Sequence, residues 1–363
     1  MGVASTGRVR IPQARIALLA CLVTLGLAGS FLVSMVVLPP FTPDQATHAV
    51  RDFWPGHEQA AMGRDVVRFR HLETGMPLEV DTAAVAVARA LGTPVPAAPR
   101  PLRQVAVYVP HQYLYPLEFL ARIETVAVDN SGRPTSQPST VCYHFGRATR
   151  WAGWLADFFS PADPQRPIPF ALDGAGYASI LPYASILPYT GYVVQPHAVA
   201  SALSDYLTSG LESGTPNGPF VSGDHTSGIV KSLRDSYDDL DNQGYDPSGD
   251  VATRDFTRAY RAADGTAVVI FAVEATSRVA LKRPNDTSVT CIVQSADHLQ
   301  QWGGLVSSGR YSEIDFVDLL QLIALDPRDG SNGLVDVIAG TDDRVAASTS
   351  PNATRPWLTS CRS

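Results

Sequence analysis

Three groupings of polar residues have types and spacings that chemistry can use. In Gly223-Asp224-His225-Thr226-Ser227-Gly228 an acid, a histidine and a serine lie within four positions, the composition of a nucleophilic triad. Directly after them Ile229, Leu233, Tyr237 and Leu240 form a stripe at helical spacing, and a helix start demands polar residues of this kind before its first turn. A strained serine elbow, G-x-S-x-G, is absent, as are H-E-x-x-H and any phosphate-binding glycine loop. Asp238, Asp239 and Asp241 are the second grouping. Leu240 continues the apolar stripe between them, which turns the carboxylates to a solvated face. No catalytic residue, cofactor or metal is expected from these motifs.

The third grouping is built on strands. Cys142 and His144 alternate with Tyr143 and Phe145, so the thiol and the imidazole share one sheet face and could contact a ligand if that face lines a cavity. Arg254, Phe256, Arg258 and Tyr260 alternate in another strand and present two guanidinium groups and two aromatic rings together. That combination is enriched at protein interfaces. The same pattern also fits an outer sheet face on which arginine stems cover rings.

Sulfur adds one expectation. Cys21 lies in an apolar run, which leaves Cys142, Cys291 and Cys361. Cys142 and Cys291 lie in strand-like stretches and fit small buried apolar residues; alternatively, because Cys361 follows a polar tail with little reason to stay ordered on its own, a Cys291 to Cys361 disulfide would tie it down, with Cys142 buried and reduced.

The elements that must position these residues begin with the apolar run from Ile16 to Leu38. It is long enough for a bilayer, is preceded by Arg8, Arg10 and Arg15, and is followed by Pro39-Pro40. The expected arrangement is a cytoplasmic tail over 1–15, an uncleaved single-pass signal anchor over 16–38 and everything after residue 40 outside the cell. The 28 basic residues include those three arginines, so the remainder holds 25 basic against 35 acidic, a net of −10. Such a surface repels nucleic acid, which is excluded as a partner. Lys231 and Lys282 are the only lysines; arginine supplies the rest of the positive charge, a bias associated with GC-rich actinobacterial genomes.

Beyond the anchor one grammar occurs twice. Thr42-Pro43-Asp44-Gln45 is a capping box with proline in the first turn, and Ala46, Ala49, Val50 and Phe53 follow on one face. A second helical piece is expected around 64–74 and a third from Asp81 to Gly92. Strand-like stretches then run through Val105 to Val109, Glu118 to Val126, Thr140 to Phe145 and Gly153 to Phe159. In the second pass Val199, Ala202, Leu203, Tyr206 and Leu207 form a helical stripe, the Ile229 stripe follows, and strands are expected over Ala252 to Arg261, Ala267 to Leu281 and Val289 to Gln294. Ile314 to Leu325 fits a strand or a helix. The hexapeptide ASILPY, repeated without change at 178–183 and 184–189, is expected to be an insertion in a linker. The resulting division is 42–173 and 195–348 as two α+β domains, 174–194 as linker and 349–363 as tail.

Leu72-Glu73-Thr74-Gly75 with Asp81 downstream, the Pro116 to Ile123 strand, Trp154-Leu155-Ala156, Gly176-Tyr177-Ala178 and Asp224 to Gly228 opening a helix carry a resemblance. With them the chain resembles the nuclear transport factor 2-like superfamily of cone-shaped α+β domains and, more narrowly, an uncharacterised actinobacterial family of membrane-anchored or secreted proteins. The resemblance implies an anchor followed by two tandem cones, each with helices packed on a curved antiparallel sheet. Two functions follow as expectations. One is a noncatalytic extracytoplasmic protein that docks envelope proteins. The alternative is a binder or enzyme that holds a small apolar ligand inside a cone.

Overall fold

The computed structural model describes residues 40–95, 98–129, 131–164, 166–181, 191–282, 292–293, 305–306, 310–311, 313–331 and 333–349. Helices α1 (Pro43–Gly63), α2 (Val66–Phe69) and α3 (Met76–Ala90) come first. Strands β1 (Leu102–Tyr108), β2 (Leu117–Thr125), β3 (Ser139–Arg147) and β4 (Leu155–Ala162) then form an antiparallel sheet in sequence order.

The second half opens with β5 (Ile180–Leu181), α4 (Val199–Ser213) and α5 (Ser227–Asn242). It continues through β6 (Tyr245–Arg261), β7 (Ala267–Leu281), a short β8 (Ile292–Val293) and β9 (Arg310–Tyr311) pair, β10 (Glu313–Asp326), β11 (Asp336–Gly340) and β12 (Asp343–Thr349). Its main sheet is antiparallel, ordered β11-β10-β7-β6-β5, and β12 also pairs with β10.

Local chemistry accounts for the helix ends. Thr42 Oγ1 accepts from the Gln45 backbone N–H at 3.3 Å and Gln45 Oε1 accepts from the Thr42 N–H at 3.0 Å, the reciprocal box the sequence spelled. Helix α3 starts earlier than expected, with Gly75 before it at φ 58° and Pro77 in its first turn, so Asp81 falls inside the helix. Gly210 lies within α4: an added Cβ would meet Val230 at 2.8 Å, so the missing side chain lets α4 and α5 close on each other.

Four layers result. Phe53, Trp54, Val50 and Ala46 of α1 pack on one face of the first sheet, against Phe119, Ile123, Tyr143 and Phe145. Leu203 and Leu207 of α4 and Val230 of α5 pack on one face of the second, against Val269, Phe271 and Val273. The two remaining faces meet each other. Leu120, Cys142 and Phe158 from the first sheet share a core with Tyr260, Val268, Ile270, Leu319 and Ile323 from the second. Each fully buried side chain of this size contributes about 1.5–3 kcal/mol, so the shared layer is a major part of the stability.

The expected fold class is therefore corrected in two respects. The α+β content and the two antiparallel sheets, each preceded by helices, are observed. Among the described residues, however, no helix is long and apolar enough to cross a membrane; the 16–38 run on which the anchor was placed lies outside those residues. The two sheets are also not separate tandem cones, because their facing sides form one core. The physical reason lies in β7 and β10: Val268 to Val273 and Leu319 to Ala324 are buried on both faces, and helices alone cover one.

One open assignment is decided and two local expectations change. Ile314 to Leu325 is a strand within β10. The first ASILPY copy enters the fold: Ile180 and Leu181 pair with Tyr260 and Ala259, and Leu181 is buried. Residues 343–349, part of which was read as polar tail, form β12.

A shared core predicts shared unfolding. Calorimetry of the folded region should show one cooperative transition, and Phe158→Ala, which opens a cavity between the sheets, should cost about 3–5 kcal/mol. Two separable transitions, with only one of them moved by the substitution, would contradict the shared layer.

Candidate functional site

The most unusual polar cluster is buried between the first helices and the first sheet. Helix α1 carries its apolar stripe through Ala46, Val50, Phe53 and Trp54, and the next position in period is His57, which is 5% exposed. Trp54 stacks on the imidazole at 5.5 Å, and Phe69 and Tyr143 approach edge-on at 5.4 and 6.0 Å. Glu73 is fixed by backbone pairing at the edge of β4, where the Thr74 N–H donates to Ala156 O at 2.8 Å and the Ala156 N–H donates to Leu72 O at 2.9 Å. Asp81 comes from α3.

These elements converge on one ring nitrogen. Glu73 Oε1 and Asp81 Oδ2 each lie 3.2 Å from His57 Nε2, and Tyr143 Oη lies 3.5 Å away. On the other side of the ring, Nδ1 is 3.8 Å from Glu58 Oε1. Glu58 is itself gripped by Arg100, whose backbone N–H donates at 2.6 Å and whose Nη2 and Nε donate at 2.7 and 3.1 Å. The Arg100 carbonyl in turn accepts from Trp54 Nε1 at 2.7 Å.

The electrostatics follow from this geometry. Burial raises the Glu73 carboxyl to about 7, with the Asp81 charge adding and the histidine opposing. Burial would by itself lower His57, but Tyr143, the hydrogen bond to Asp81 and the nearby Glu58 and Glu73 carboxylates outweigh it and hold the imidazole well above its ordinary value. Glu58 goes the other way: burial alone would raise it, yet the nearby His57 imidazole and the hydrogen bonds from Arg100 bring it down to about 2. Glu73 is 1% exposed; its Oε1 is within ion-pair reach of His57 Nε2 at 3.2 Å, but neither carboxylate oxygen receives a hydrogen bond of good geometry.

The residues singled out in the sequence lie elsewhere, at the junction of the two sheets. His144 is fully buried and its Nδ1 donates to Asp157 Oδ1 at 2.6 Å, since a carboxylate can only accept. Cys142 is a buried free thiol that burial pushes up to about 12. The sheet face that carries both is covered by Phe256, which lies 5.5 Å from the imidazole and stacks on Phe158 at 5.3 Å. Arg254 pairs with Glu79 of α3 at 2.5 Å and with Glu274 at 3.2 Å, Arg258 with Glu118 at 2.8 Å, and Tyr260 meets Phe170 edge-on at 5.5 Å. These four residues make an interface inside the chain. Cys291 and Cys361 lie outside the described residues. Thr226 spends its hydroxyl on Val221 O and the Gly223 N–H, shaping the loop into α5 without capping the helix.

A second surface feature stands at one end of the first sheet. Trp151 is 82% exposed, with the Arg150 guanidinium 4.1 Å above its ring, and Tyr113 and Leu114 are also exposed. Arg147 lies 5.9 Å from both Tyr115 and Trp154. Beside them a groove of about 290 Å³ is lined by Phe41, Gln45, Gln112, Tyr115, Leu117, Arg147 and Trp154.

Fold and site together define a four-layer α+β protein with a buried histidine–carboxylate cluster. The chain belongs to the family described as Domain of unknown function (DUF8094), whose profile matches residues 37–349. No curated protein and no solved structure matches the chain.

The Glu58–Arg100 pair generates a prediction. Because Glu58 is held below its ordinary value of 4.5, its contribution is present above about pH 4.5 and is lost as the pH falls through about 2. Arg100→Met keeps the stem over Trp54 but strips the carboxylate of its partner. It should destabilise by about 1–3 kcal/mol at neutral pH and move acid unfolding to higher pH, as followed by denaturant titration and circular dichroism.

Proposed function

We propose that this chain is a noncatalytic extracytoplasmic protein that works through protein–protein contact at the cell envelope. The observation that carries the reading is Trp151, left 82% exposed at the end of the first sheet where Tyr113, Leu114, Arg147 and Arg150 are also gathered. Tryptophan, tyrosine and arginine are the residues on which binding energy concentrates. The chain enters at this end, since Phe41 packs on Phe119 and Trp154. The likeness to nuclear transport factor 2-like domains and an actinobacterial origin belong to the same reading. Supporting them are the helices-then-sheet order of each half and the preference for arginine over lysine. The alternative of an apolar ligand held beside Cys142 and His144 gains no support from that face, which Phe256 and Ile270 fill.

A photo-crosslinking amino acid at position 151 of the full chain, expressed in its native cell, should yield a discrete protein adduct. Trp151→Ala and Arg150→Glu should each weaken capture of that partner about tenfold or more, the scale of a hot-spot residue. Stability should stay within about 0.5 kcal/mol, since both side chains lie on the surface. The absence of any adduct at 151, with adducts forming at sites on the opposite face, would overturn the reading.

A further inference from the structure

His57, Glu73 and Asp81 come from three different elements, yet one oxygen or nitrogen of each lies within 4.8 Å of the others. Two of the separations, His57 Nε2 to Glu73 Oε1 and to Asp81 Oδ2, are 3.2 Å. Ligands about 2.0–2.2 Å from a common ion stand about 3.0–3.4 Å apart at tetrahedral or octahedral angles, and these two separations fall in that range.

Hydrogen bonding accounts poorly for the arrangement. One ring nitrogen carries one proton or one lone pair, so it cannot satisfy two carboxylates at once. Glu73 is the clearest sign: it is 1% exposed and aimed at the cluster, and apart from the His57 Nε2 it shares with Asp81 no donor meets either of its oxygens. Burying a carboxylate in that state is unfavourable unless something charged completes it.

The surroundings match a metal ligand set. Glu58 faces the far nitrogen of the ring at 3.8 Å, the position from which a carboxylate sets the tautomer and leaves Nε2 free to ligate. Arg100 neutralises Glu58, so an ion that displaces the His57 proton would meet the imidazole nitrogen and the carboxylates of Glu73 and Asp81. Asp81, whose side chain is 24% exposed, gives the ion a way in, and Tyr143 Oη closes the inner side.

We propose that His57 Nε2, Glu73 and Asp81 bind a divalent transition-metal ion of the zinc or manganese class, locking α1, the segment after α2, and α3 onto the first sheet. The histidine nitrogen argues against calcium and magnesium, which take oxygen ligands. The proposal is independent of the docking role proposed for Trp151.

The test uses the metal-free full chain and zinc chloride as the probe, read by calorimetric titration and thermal unfolding. One equivalent of zinc should bind and raise the melting temperature. Cobalt(II) should give visible ligand-field bands without a thiolate charge-transfer band, separating this site from the cysteines. Glu73→Gln and Asp81→Asn should each lower zinc affinity by more than the 10–100-fold typical of an outer-shell change and abolish the melting shift. The partly exposed Asp81 supplies a variant that folds if Glu73→Gln does not. Absence of stoichiometric zinc and manganese binding by the wild-type chain, or an unchanged zinc response in Asp81→Asn, would overturn the site and leave a cluster held by shared protons.

Discussion

The contact on which the rest of this structure depends is the face-to-face packing of its two sheets. A strand covered on one face alternates apolar and polar side chains; β7 does not, because Val269, Phe271 and Val273 meet the helices while Val268, Ile270 and Ala272 meet the other sheet. Each half is thereby left with an apolar face that only the other half can cover. The polar groups at that junction fit the same requirement. Asp157 hydrogen-bonded to His144, Arg258 paired with Glu118 and Arg254 paired with Glu79 place polar groups where the two halves meet, each with a partner in reach. Gln321, in the centre of β10, reaches across and accepts from the Phe159 N–H of β4 at 3.0 Å, tying the sheets in one register.

The buried cluster around His57 is subordinate to that frame but distinct from it. It lies on the helical side of the first sheet, in a box of Phe53, Trp54, Phe69 and Tyr143. Low polarity there strengthens every charge interaction, which is why Glu58 and Glu73, fifteen residues apart, are driven in opposite directions: one has a guanidinium, the other has only the histidine and a second acid. The same apolar walls make an unpaired carboxylate costly, so the placement of Glu73 calls for a counter-charge.

Parts of this site were legible and parts were not. Glu73 and Asp81 stand out in the sequence as members of the Leu72 to Asp81 segment, but nothing there says they are buried or adjacent. His57 follows from the stripe of α1 only when the period is carried beyond Phe53, and a histidine on such a stripe gives no sign of its partners. The alternation of Cys142 with His144 and of Arg254 with Tyr260 correctly set each group on one face of its strand, because side-chain direction in a strand has a period of two. What covers those faces is a long-range fact.

The local elements are legible from the sequence alone: the Thr42 capping box, the helical stripes of α4 and α5, the strands from Ala252 to Arg261 and Ala267 to Leu281, and the order of helices before strands in each half. These rest on interactions between residues a few positions apart. The sequence also contained the continuous apolar runs of β7 and β10, but a run of that kind fits a doubly covered strand and a buried helix equally, as Ile314 to Leu325 illustrates. Only the tertiary structure decided that the two sheets stack on one another, that the first ASILPY copy closes a sheet edge as β5, and that His57, Glu73 and Asp81 share one point. Each of these joins segments far apart in the chain, and the free energy that selects them comes from burying two faces together, a quantity that exists only once both faces are formed.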